Sequence, residues 1–316
     1  MSRNFWQQLE RPILAMAPMI NVTDAAFRRM FAQCGKPDVF WTEFVSTEGL
    51  LSKGKDALLP MLWFDKKSER PIVAQIFGAK PEQFEAVGAM VRELGFDGVD
   101  INMGCPDKDV EKQGAGAGLI KNPDNARQII RALKKGAGPL PVSVKTRIGY
   151  WSQKEMSAWL HVLFEEDLAA LTVHLRTRKE MSKVAAYWEV APEIVEMRNK
   201  YAPNTFLLGN GDIGSLDEAH MRIRESGMDG VMIGRGIFGN PWFFSDRTPD
   251  LKERLERMTI HAECYEAMYK GKKPFALMKK HFNAYVAGFD GAKELRMKLM
   301  EAENAVEVRR IVEGYV

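Results

Sequence analysis

The chain has 316 residues, about twice the length of a typical single domain, which favours a large barrel or a barrel with a smaller appendage. Hydrophobic residues make up 46% of the chain and charged residues 28%, a composition that excludes intrinsic disorder as the main state. The 45 basic and 42 acidic residues leave a net charge of only +3. Bulk charge therefore cannot bind nucleic acid, and any such binding needs a local basic patch.

Cysteine spacing and the N-terminal segment predict a soluble, cytoplasmic protein. Cys34, Cys105 and Cys264 form neither a CxxC motif nor an evident disulfide framework, which indicates a reducing compartment. The apolar stretch 13–20 contains Pro18 and is too short to span a membrane. HExxH, clustered metal ligands and a P-loop motif do not occur in the sequence, so we expect no metal site.

Short apolar or β-rich runs alternate with helical periodicity along most of the chain. Helical patterns are clearest at 81–94 and 123–134. The runs predicted as strands are 13–17, 39–44, 72–77, 98–102, 142–147, 170–174, 206–209 and 230–233. This alternation predicts an α/β fold, and eight such units favour a closed (β/α)8 TIM barrel.

Alternating side chains near the strand ends favour the barrel over a doubly wound open sheet. Strands of an open sheet are buried on both faces and should be apolar throughout. Here Ser143, Lys145 and Arg147 alternate with outward-facing residues of one strand, and Asn102 and His174 end two others. These polar groups should converge at the C-terminal mouth, where barrel enzymes have their active sites.

The strand pattern stops after Pro241, and helical patterns follow at 251–270, 274–287 and 292–315. We therefore predict a barrel domain over 1–242 and a smaller helical domain over 243–316. One segment of the helical region carries several basic residues and no acidic one: Lys270, Lys272, Lys273, Lys279, Lys280 and His281. A solvated helix face is one interpretation, and a surface for nucleic-acid phosphates is the other.

Two glycine-rich stretches, 209–214 and 234–239, match G-x-G-x-x-G. They follow the seventh and eighth predicted strands, whereas the dinucleotide fingerprint follows the first strand of its fold. Loops at these two places in a barrel often form a phosphate site, to which Arg235 adds a charge suited to bidentate contact. Two turns shaped only by backbone geometry are the alternative.

Cys105 lies three residues after Asn102, on a loop that ends in the glycine-rich run 114–118. Since a free thiol has a pKa near roughly 8.5, it is mostly protonated at neutral pH and can act as a general acid. Lys145 has three open interpretations, namely a Schiff-base amine, an ion-pair partner or a cation beside an anionic cofactor. The remaining histidines lie in helical stretches and are expected at the surface or in packing: His161, His220, His261 and His281.

Several short motifs occur in a fixed order along residues 13–290. They are Ala17-Pro18-Met19, Val22-Thr23-Asp24, Phe27-Arg28, Thr42-Glu43, Gln75-Ile76-Phe77-Gly78, the stretch 100–106, Val144-Lys145-Thr146-Arg147, the stretch 209–213 and Met232-Ile233-Gly234-Arg235. Together they resemble the tRNA-dihydrouridine synthases. NMGCP followed by GAGAGL is the most specific element, and Lys279-Lys280-His281 resembles the signature of that family's helical domain.

The resemblance implies an FMN-dependent reductase that saturates the C5–C6 bond of uridine in folded tRNA, with NADPH as the source of electrons. Cys105 matches the proton donor. The positions implied for cofactor binding are Ala17, Pro18, Met19, Gln75, Asn102, Lys145, His174, Asn210, Gly211, Asp212, Gly234 and Arg235. The positions proposed for tRNA are Lys270, Lys272, Lys273, Lys279 and Lys280. We expect a monomer, and the rival functions are a dihydroorotate dehydrogenase-like reductase and a flavin-binding RNA chaperone with secondary modification activity.

The sequence departs from the family pattern at two places. Leu175 follows His174 where the family usually has glycine, which removes a glycine close to the expected flavin. Asp107 and Asp109 flank Lys108 where the family usually has a basic tripeptide, so the loop after Cys105 is more acidic.

Overall fold

The computed structural model describes residues 4–245 and 247–315. In this part of the chain, parallel strands form one sheet. The strands are β1 (Ile13–Met16), β2 (Phe40–Trp41), β3 (Val45–Ser46), β4 (Ile72–Phe77), β5 (Gly98–Met103), β6 (Val142–Gly149), β7 (Ala170–Thr177), β8 (Phe206–Asn210) and β9 (Gly230–Ile233). Every predicted strand is present, so the predicted (β/α)8 TIM-barrel fold is confirmed.

The sheet closes on itself in the order β1-β9-β8-β7-β6-β5-β4-β2. A parallel bridge between Ala15 and Val39 joins its two ends. The predicted strand 39–44 contains only β2, and a second short strand, β3, begins just beyond its predicted end. Both short strands pair with β4. The break between them begins at Thr42, whose hydroxyl accepts the Gln75 N–H at 3.2 Å and donates to the Glu43 carbonyl at 2.8 Å, in place of a regular ladder.

Helices follow most strands of the barrel, and further helices come after the last strand. They are α1 (Ala25–Cys34), α2 (Thr47–Leu50), α3 (Lys55–Leu58), α4 (Pro81–Leu94), α5 (Lys108–Lys112), α6 (Pro123–Ala137), α7 (Met156–Phe164), α8 (Ala191–Tyr201), α9 (Leu216–Ser226), α10 (Leu251–Tyr269), α11 (Lys279–Tyr285), α12 (Ala292–Glu301) and α13 (Ala305–Glu313). The bounds of α4 follow from its sequence, since Pro81 suits the first helical position and Gly95 adopts φ +83 at the C-terminus.

Two predicted helices of the C-terminal region are each divided. The segment 274–287 is a 3-10 turn, Phe275–Met278, followed by α11. The segment 292–315 is divided into α12 and α13 because Asn304 caps a new helix. Its side chain accepts the Glu307 N–H at 2.9 Å, and the Glu307 carboxylate accepts the Glu303 N–H at 2.9 Å. This reciprocal pair is an N-terminal capping arrangement that starts α13.

The lower part of the barrel interior is apolar and is closed by an N-terminal 3-10 turn, Phe5–Gln8. Trp6 of this turn is fully buried, with its ring 5.9 Å from that of Trp41 and 5.8 Å from that of Phe206. The upper part is polar, because Asn102 pairs in register with Lys145, and His174 pairs with Asn210. The fold therefore places the polar side chains at the mouth.

The C-terminal helices form a second apolar cluster that packs against α1 and includes Ala26. The Tyr269 hydroxyl accepts the Ala25 N–H at 3.1 Å, at the first turn of α1. Arg257 donates to the Gln33 side chain at 2.7 Å, at the other end of α1. None of the described helices combines the length and apolar character that a membrane crossing would need.

Candidate active site

A cavity of about 620 Å³ opens at the C-terminal mouth of the barrel, a volume within the usual range for small-molecule sites. The structure brings ten of the twelve residues predicted for cofactor binding to its wall: Ala17, Pro18, Met19, Lys145, His174, Asn210, Gly211, Asp212, Gly234 and Arg235. Gln75 and Asn102 are not part of the wall. They are buried side chains of β4 and β5 with a different set of contacts.

Sequence reasoning missed Arg176, Ser182 and Glu218 of the wall. The wall also contains residues of the predicted glycine-rich stretches and family motifs that were not named as binding positions: Ile213, Gly214, Met232 and Gly236. Arg176 could have been found, because it lies two residues after His174 on β7 and therefore points to the same face of the strand. Ser182 lies in the irregular loop that follows β7, where no periodicity indicates which way a side chain points.

The loops after β8 and β9 meet closely along one wall. A Cβ at Gly236 would lie only 2.2 Å from the Ile213 carbonyl oxygen, so only glycine fits at this position. Gly211 has φ +138, a conformation that residues with a Cβ rarely adopt. The two glycine-rich stretches therefore form one compact wall, as a phosphate site shared by both loops would require.

Asp212 lies between two arginines on this wall. Its carboxylate accepts hydrogen bonds from Arg176, from Arg235 at 3.0 Å and from the Ala186 N–H at 2.9 Å. Burial raises the pKa of Asp212, but the hydrogen bonds from Arg176 and Ala186 outweigh it and lower the pKa overall. The wall carries three basic side chains, Lys145, Arg176 and Arg235, against two carboxylates, so it favours an anionic ligand.

Lys145 is half-buried at the base of the cavity, where its Nζ donates to Asn210 Oδ1 at 3.1 Å. The Asn210 amide nitrogen donates to the Met232 carbonyl at 2.7 Å, which fixes the amide with its oxygen toward Lys145. Loss of water and repulsion from Arg147 lower the pKa of Lys145 to about 8. The amine is therefore still mainly a cation at neutral pH.

His174 is neutral in this setting, because burial and the nearby Arg147 and Lys145 hold its pKa well below the usual range. Its Nε2 lies 3.1 Å from an Arg176 nitrogen. Since a guanidinium can only donate, Nε2 accepts and the ring proton is on Nδ1.

A chain of buried hydrogen bonds lies below the cavity and ends at the loop of Cys105. Asp100 accepts from the Ser143 hydroxyl at 2.6 Å and from the Gln75 amide nitrogen at 2.7 Å. The Gln75 oxygen then accepts from the Asn102 amide nitrogen at 3.0 Å. This sequence of donors fixes the orientation of both amides, and the Asn102 oxygen is left to accept the Cys105 N–H at 2.9 Å.

Cys105 lies on the loop after β5 and is half-buried outside the cavity wall. Burial raises the pKa of its thiol, although Arg147 and Lys145 act in the opposite direction. The thiol is therefore protonated at neutral pH, as a proton donor has to be.

The two departures from the family pattern have structural explanations. Leu175 is fully buried in the apolar core outside the barrel, since it alternates with the inward-facing His174. The side chain of Leu175 therefore points away from the cavity. Asp107 is the N-cap of α5, because its Oδ1 accepts the N–H groups of Asp109 at 2.9 Å and Val110 at 3.2 Å.

The lysines of the predicted basic segment differ in exposure and in their contacts. Lys270 and Lys272 are exposed, and Lys279 and Lys280 are half-buried at the start of α11. Lys273 differs, because its Nζ pairs at 2.7 Å with Glu43, which is fully buried. A contact from Lys273 to a phosphate would require breaking this pair.

The structure also places the remaining histidines and the cysteines that the sequence analysis considered. His261 and His281 are packing residues, buried against each other with ring centres 4.8 Å apart. His161 and His220 are partly exposed on helices. The three cysteines are free, and within residues 4–245 and 247–315 no group of three or more His, Cys, Asp or Glu side chains could hold a metal ion.

A parallel barrel with a polar, glycine-lined cavity at its C-terminal mouth defines an enzyme of the TIM-barrel class. The family model for dihydrouridine synthase (Dus) matches residues 15–314, and the chain belongs to this family of oxidoreductases. The resemblance inferred from the motifs is thereby confirmed.

Relatives with this description cover the whole chain. A probable tRNA-dihydrouridine synthase of Staphylococcus aureus (strain MRSA252) is 44% identical over 100% of this chain and 96% of its own length. The probable tRNA-dihydrouridine synthase 2 of Bacillus subtilis (strain 168) is 43% identical over 100% of this chain and 97% of its own.

Solved structures support the fold alone. An old yellow enzyme homologue from Zymomonas mobilis has a TM-score of 0.50 and 14% identity over 72% of this chain and 86% of its own. A 2-naphthoyl-CoA reductase complex has a TM-score of 0.54 and 10% identity over 73% of this chain and 49% of its own.

Proposed function

We propose that the protein reduces specific uridines of tRNA to 5,6-dihydrouridine, using FMN as cofactor and NADPH as reductant. The observation that carries the proposal is the convergence at one mouth of an anion-suited cavity, the half-buried cation of Lys145 and the protonated thiol of Cys105. The names of the full-length relatives point to the same substrate. We further propose that the enzyme works as a cytoplasmic monomer.

The cavity residues fit FMN by charge and shape. The loop wall of Gly211, Gly234 and Gly236 leaves backbone open to a phosphate, and the exposed guanidinium of Arg235 can turn toward it. The Lys145 cation at the base suits the pyrimidine side of a flavin, which becomes negative on reduction. Ala17 and Met19, which lie beside Gly234, supply apolar contact.

Held by these residues, FMN would supply hydride chemistry for C6 of the uracil ring, with NADPH as the source of electrons. Lys145 stabilises negative charge at the base of the site, since its ammonium is withdrawn from water and held by Asn210. His174 remains neutral and its Nδ1–H can donate one hydrogen bond, which suits an uncharged base better than a second cation would.

Cys105 completes the reduction. As C6 gains a hydride, C5 develops enolate-like negative charge, and the Cys105 S–H bond breaks to deliver its proton there. The electron pair remains on sulfur, and the thiolate regains a proton from solvent. The raised pKa of Cys105 favours this return, so the donor is restored for the next cycle.

A uridine has to leave the tRNA stack to reach a buried site, and contacts to the backbone have to hold the tRNA meanwhile. We propose that Lys270, Lys272, Lys279 and Lys280 bind its phosphates. Lys273 is omitted from this set because its pair with Glu43 occupies it.

The proposal is tested with purified protein, FMN, NADPH and tRNA that lacks dihydrouridine. We expect NADPH-dependent formation of dihydrouridine, measured by mass spectrometry of nuclease digests. Orotate reduction without tRNA turnover would instead support the dihydroorotate dehydrogenase alternative, and failure of the apoprotein to take up micromolar FMN would contradict the cofactor.

A further inference from the structure

Three consecutive carbonyl groups around Cys105 are each held by a different part of the barrel. The Gly104 carbonyl accepts from Arg147 Nε at 2.8 Å, and the Cys105 carbonyl accepts from the Ala117 N–H at 2.9 Å. The Pro106 carbonyl accepts from Arg178 at 3.2 Å. The backbone that carries the thiol is therefore fixed from three sides, and two of the donors are arginine side chains.

Arg178 lies just after β7 and makes a two-point ion pair with Glu111 of α5. Its Nε donates to Glu111 Oε1 at 2.6 Å, and an Nη donates to Glu111 Oε2. The side chains are only 18% and 10% exposed, so the pair is much less screened than an ordinary surface ion pair. One guanidinium thus holds the chain two residues before α5, through Pro106, and the body of α5, through Glu111.

The segment held in this way has little stability of its own. Helix α5 has only five residues, far below the length at which an isolated helix is stable. Gly114 and Gly116, at φ +75 and +58, follow it and give the backbone freedom to move when tertiary contacts are lost. Contacts from outside the segment must therefore fix its position.

We propose that Arg178, through its paired contact with Glu111 and Pro106, is a positioning residue that holds the Cys105 loop where the thiol can deliver a proton. This inference rests on the proposed function, which makes Cys105 the proton donor. The contacts that hold the loop do not depend on that function. Arg178 contacts neither the cavity nor Cys105 Sγ, and it acts through the backbone.

Lysine cannot replace this arginine. The contacts to two carboxylate oxygens and one carbonyl use the planar fork of a guanidinium, whereas an ammonium is a single point charge. Arg178→Lys therefore keeps the positive charge and removes the two-point hydrogen bonding. Glu111→Gln keeps the size of the side chain and removes its negative charge.

The first test measures alkylation of the FMN-loaded protein by iodoacetamide, with each cysteine followed by peptide mass spectrometry. We expect Cys105 to react several-fold faster in Arg178→Lys and in Glu111→Gln, because the loop opens more often. The half-buried Cys34 and Cys264 should react at unchanged rates and serve as internal controls. Unchanged alkylation of Cys105 in both variants would overturn the proposal whether or not the protein modifies tRNA.

The second test compares the two halves of the reaction. In Arg178→Lys, single-turnover reduction of tRNA should fall by about 10- to 100-fold, the cost of a small misplacement of a reacting group, while NADPH oxidation stays unchanged. Arg131→Lys is the matched control, because Arg131 makes the same two-point contact with Glu166, at 2.9 and 2.8 Å, on an outer helix. Equal losses in both variants would contradict the positioning role.

The third test is a double-mutant cycle. If both residues act through one contact, Arg178→Lys combined with Glu111→Gln should lose no more activity than the worse single variant. Additive losses would mean that the two residues act separately and would overturn the paired mechanism.

Discussion

Burial shifts the pKa values of Cys105 and Lys145 in opposite directions, and each shift suits the proposed task of its residue. Burial raises the pKa of the thiol, which keeps its proton, and lowers the pKa of the amine to about 8, which leaves it mainly a cation at neutral pH. The residue identities were predictable from the strand ends. The directions of the shifts were not, because they depend first on burial and then on nearby charges such as Arg147, which only the closed barrel determines.

Replacing Cys105 by alanine should separate the two half-reactions. The variant is expected to keep FMN and NADPH oxidation but to lose dihydrouridine formation by roughly 10² to 10⁴, the range for loss of a general acid. The measurement is single-turnover tRNA reduction. Cys264→Ala is the control, and wild-type turnover by Cys105→Ala would transfer the proton donor to another group or to water.

Replacing Lys145 by methionine should weaken FMN binding by about 1 to 3 kcal/mol, since a hydrogen-bonding charge at the base of the cavity is lost. In the wild-type apoprotein the ammonium is present below its pKa of about 8 and is lost above it, so FMN affinity should fall as pH rises through that value. Fluorescence titration between acid and alkaline pH measures both effects. A pH dependence that persists in Lys145→Met would assign it to a different group.

At the scale of elements, periodicity predicted the strands and helix α4 because both depend on local sequence. It failed where a single side chain interrupts an element, as Thr42 does between β2 and β3 and Asn304 does before α13. The capping pattern at Asn304 was present in the sequence. The role of Thr42 was not visible, because its partner Gln75 belongs to a different strand.

Helix α11 begins with two of the lysines proposed to bind tRNA. Exchanging Lys279 and Lys280 for glutamine should make the slope of log affinity against log salt shallower by roughly one unit per contact removed. NADPH oxidation should be unchanged. Lys135 and Lys200, on outer helices of the barrel, supply the matched control pair. An unaltered slope would mean that the start of α11 is only a solvated helix face.

At the scale of the whole molecule, the C-terminal helices are joined to the mouth through Glu43. This carboxylate is fully buried and bonds both the Asn21 N–H, at 2.5 Å, and Lys273. Asn21 follows the cavity residues of the first loop, so the same carboxylate contacts the mouth and the helical region. The proposed division at residue 242 therefore has at least one polar contact across it.

Lys273→Met should lower the free energy of unfolding by about 3 to 5 kcal/mol, because it leaves a buried carboxylate unpaired. The neighbouring Lys272→Met should cost at most about 1 kcal/mol, since the exposed Lys272 only covers the Trp63 ring, at 5.0 Å. Denaturant titration compares the two variants. Equal and small losses would contradict the importance of the Lys273–Glu43 pair.

Arg147 connects two loops that are far apart in the chain. Its guanidinium donates to Gly104 on one side and to the carbonyls of Thr177 and Met181, at 3.1 and 2.9 Å, on the other. The conformations of the loops after β5 and β7 are therefore coupled. A change of length in either loop would move Arg147 away from the carbonyl groups of the other. A chimaera that takes only one of these loops from a relative would combine a donor and acceptors of different origin, whereas exchange of both together preserves the match.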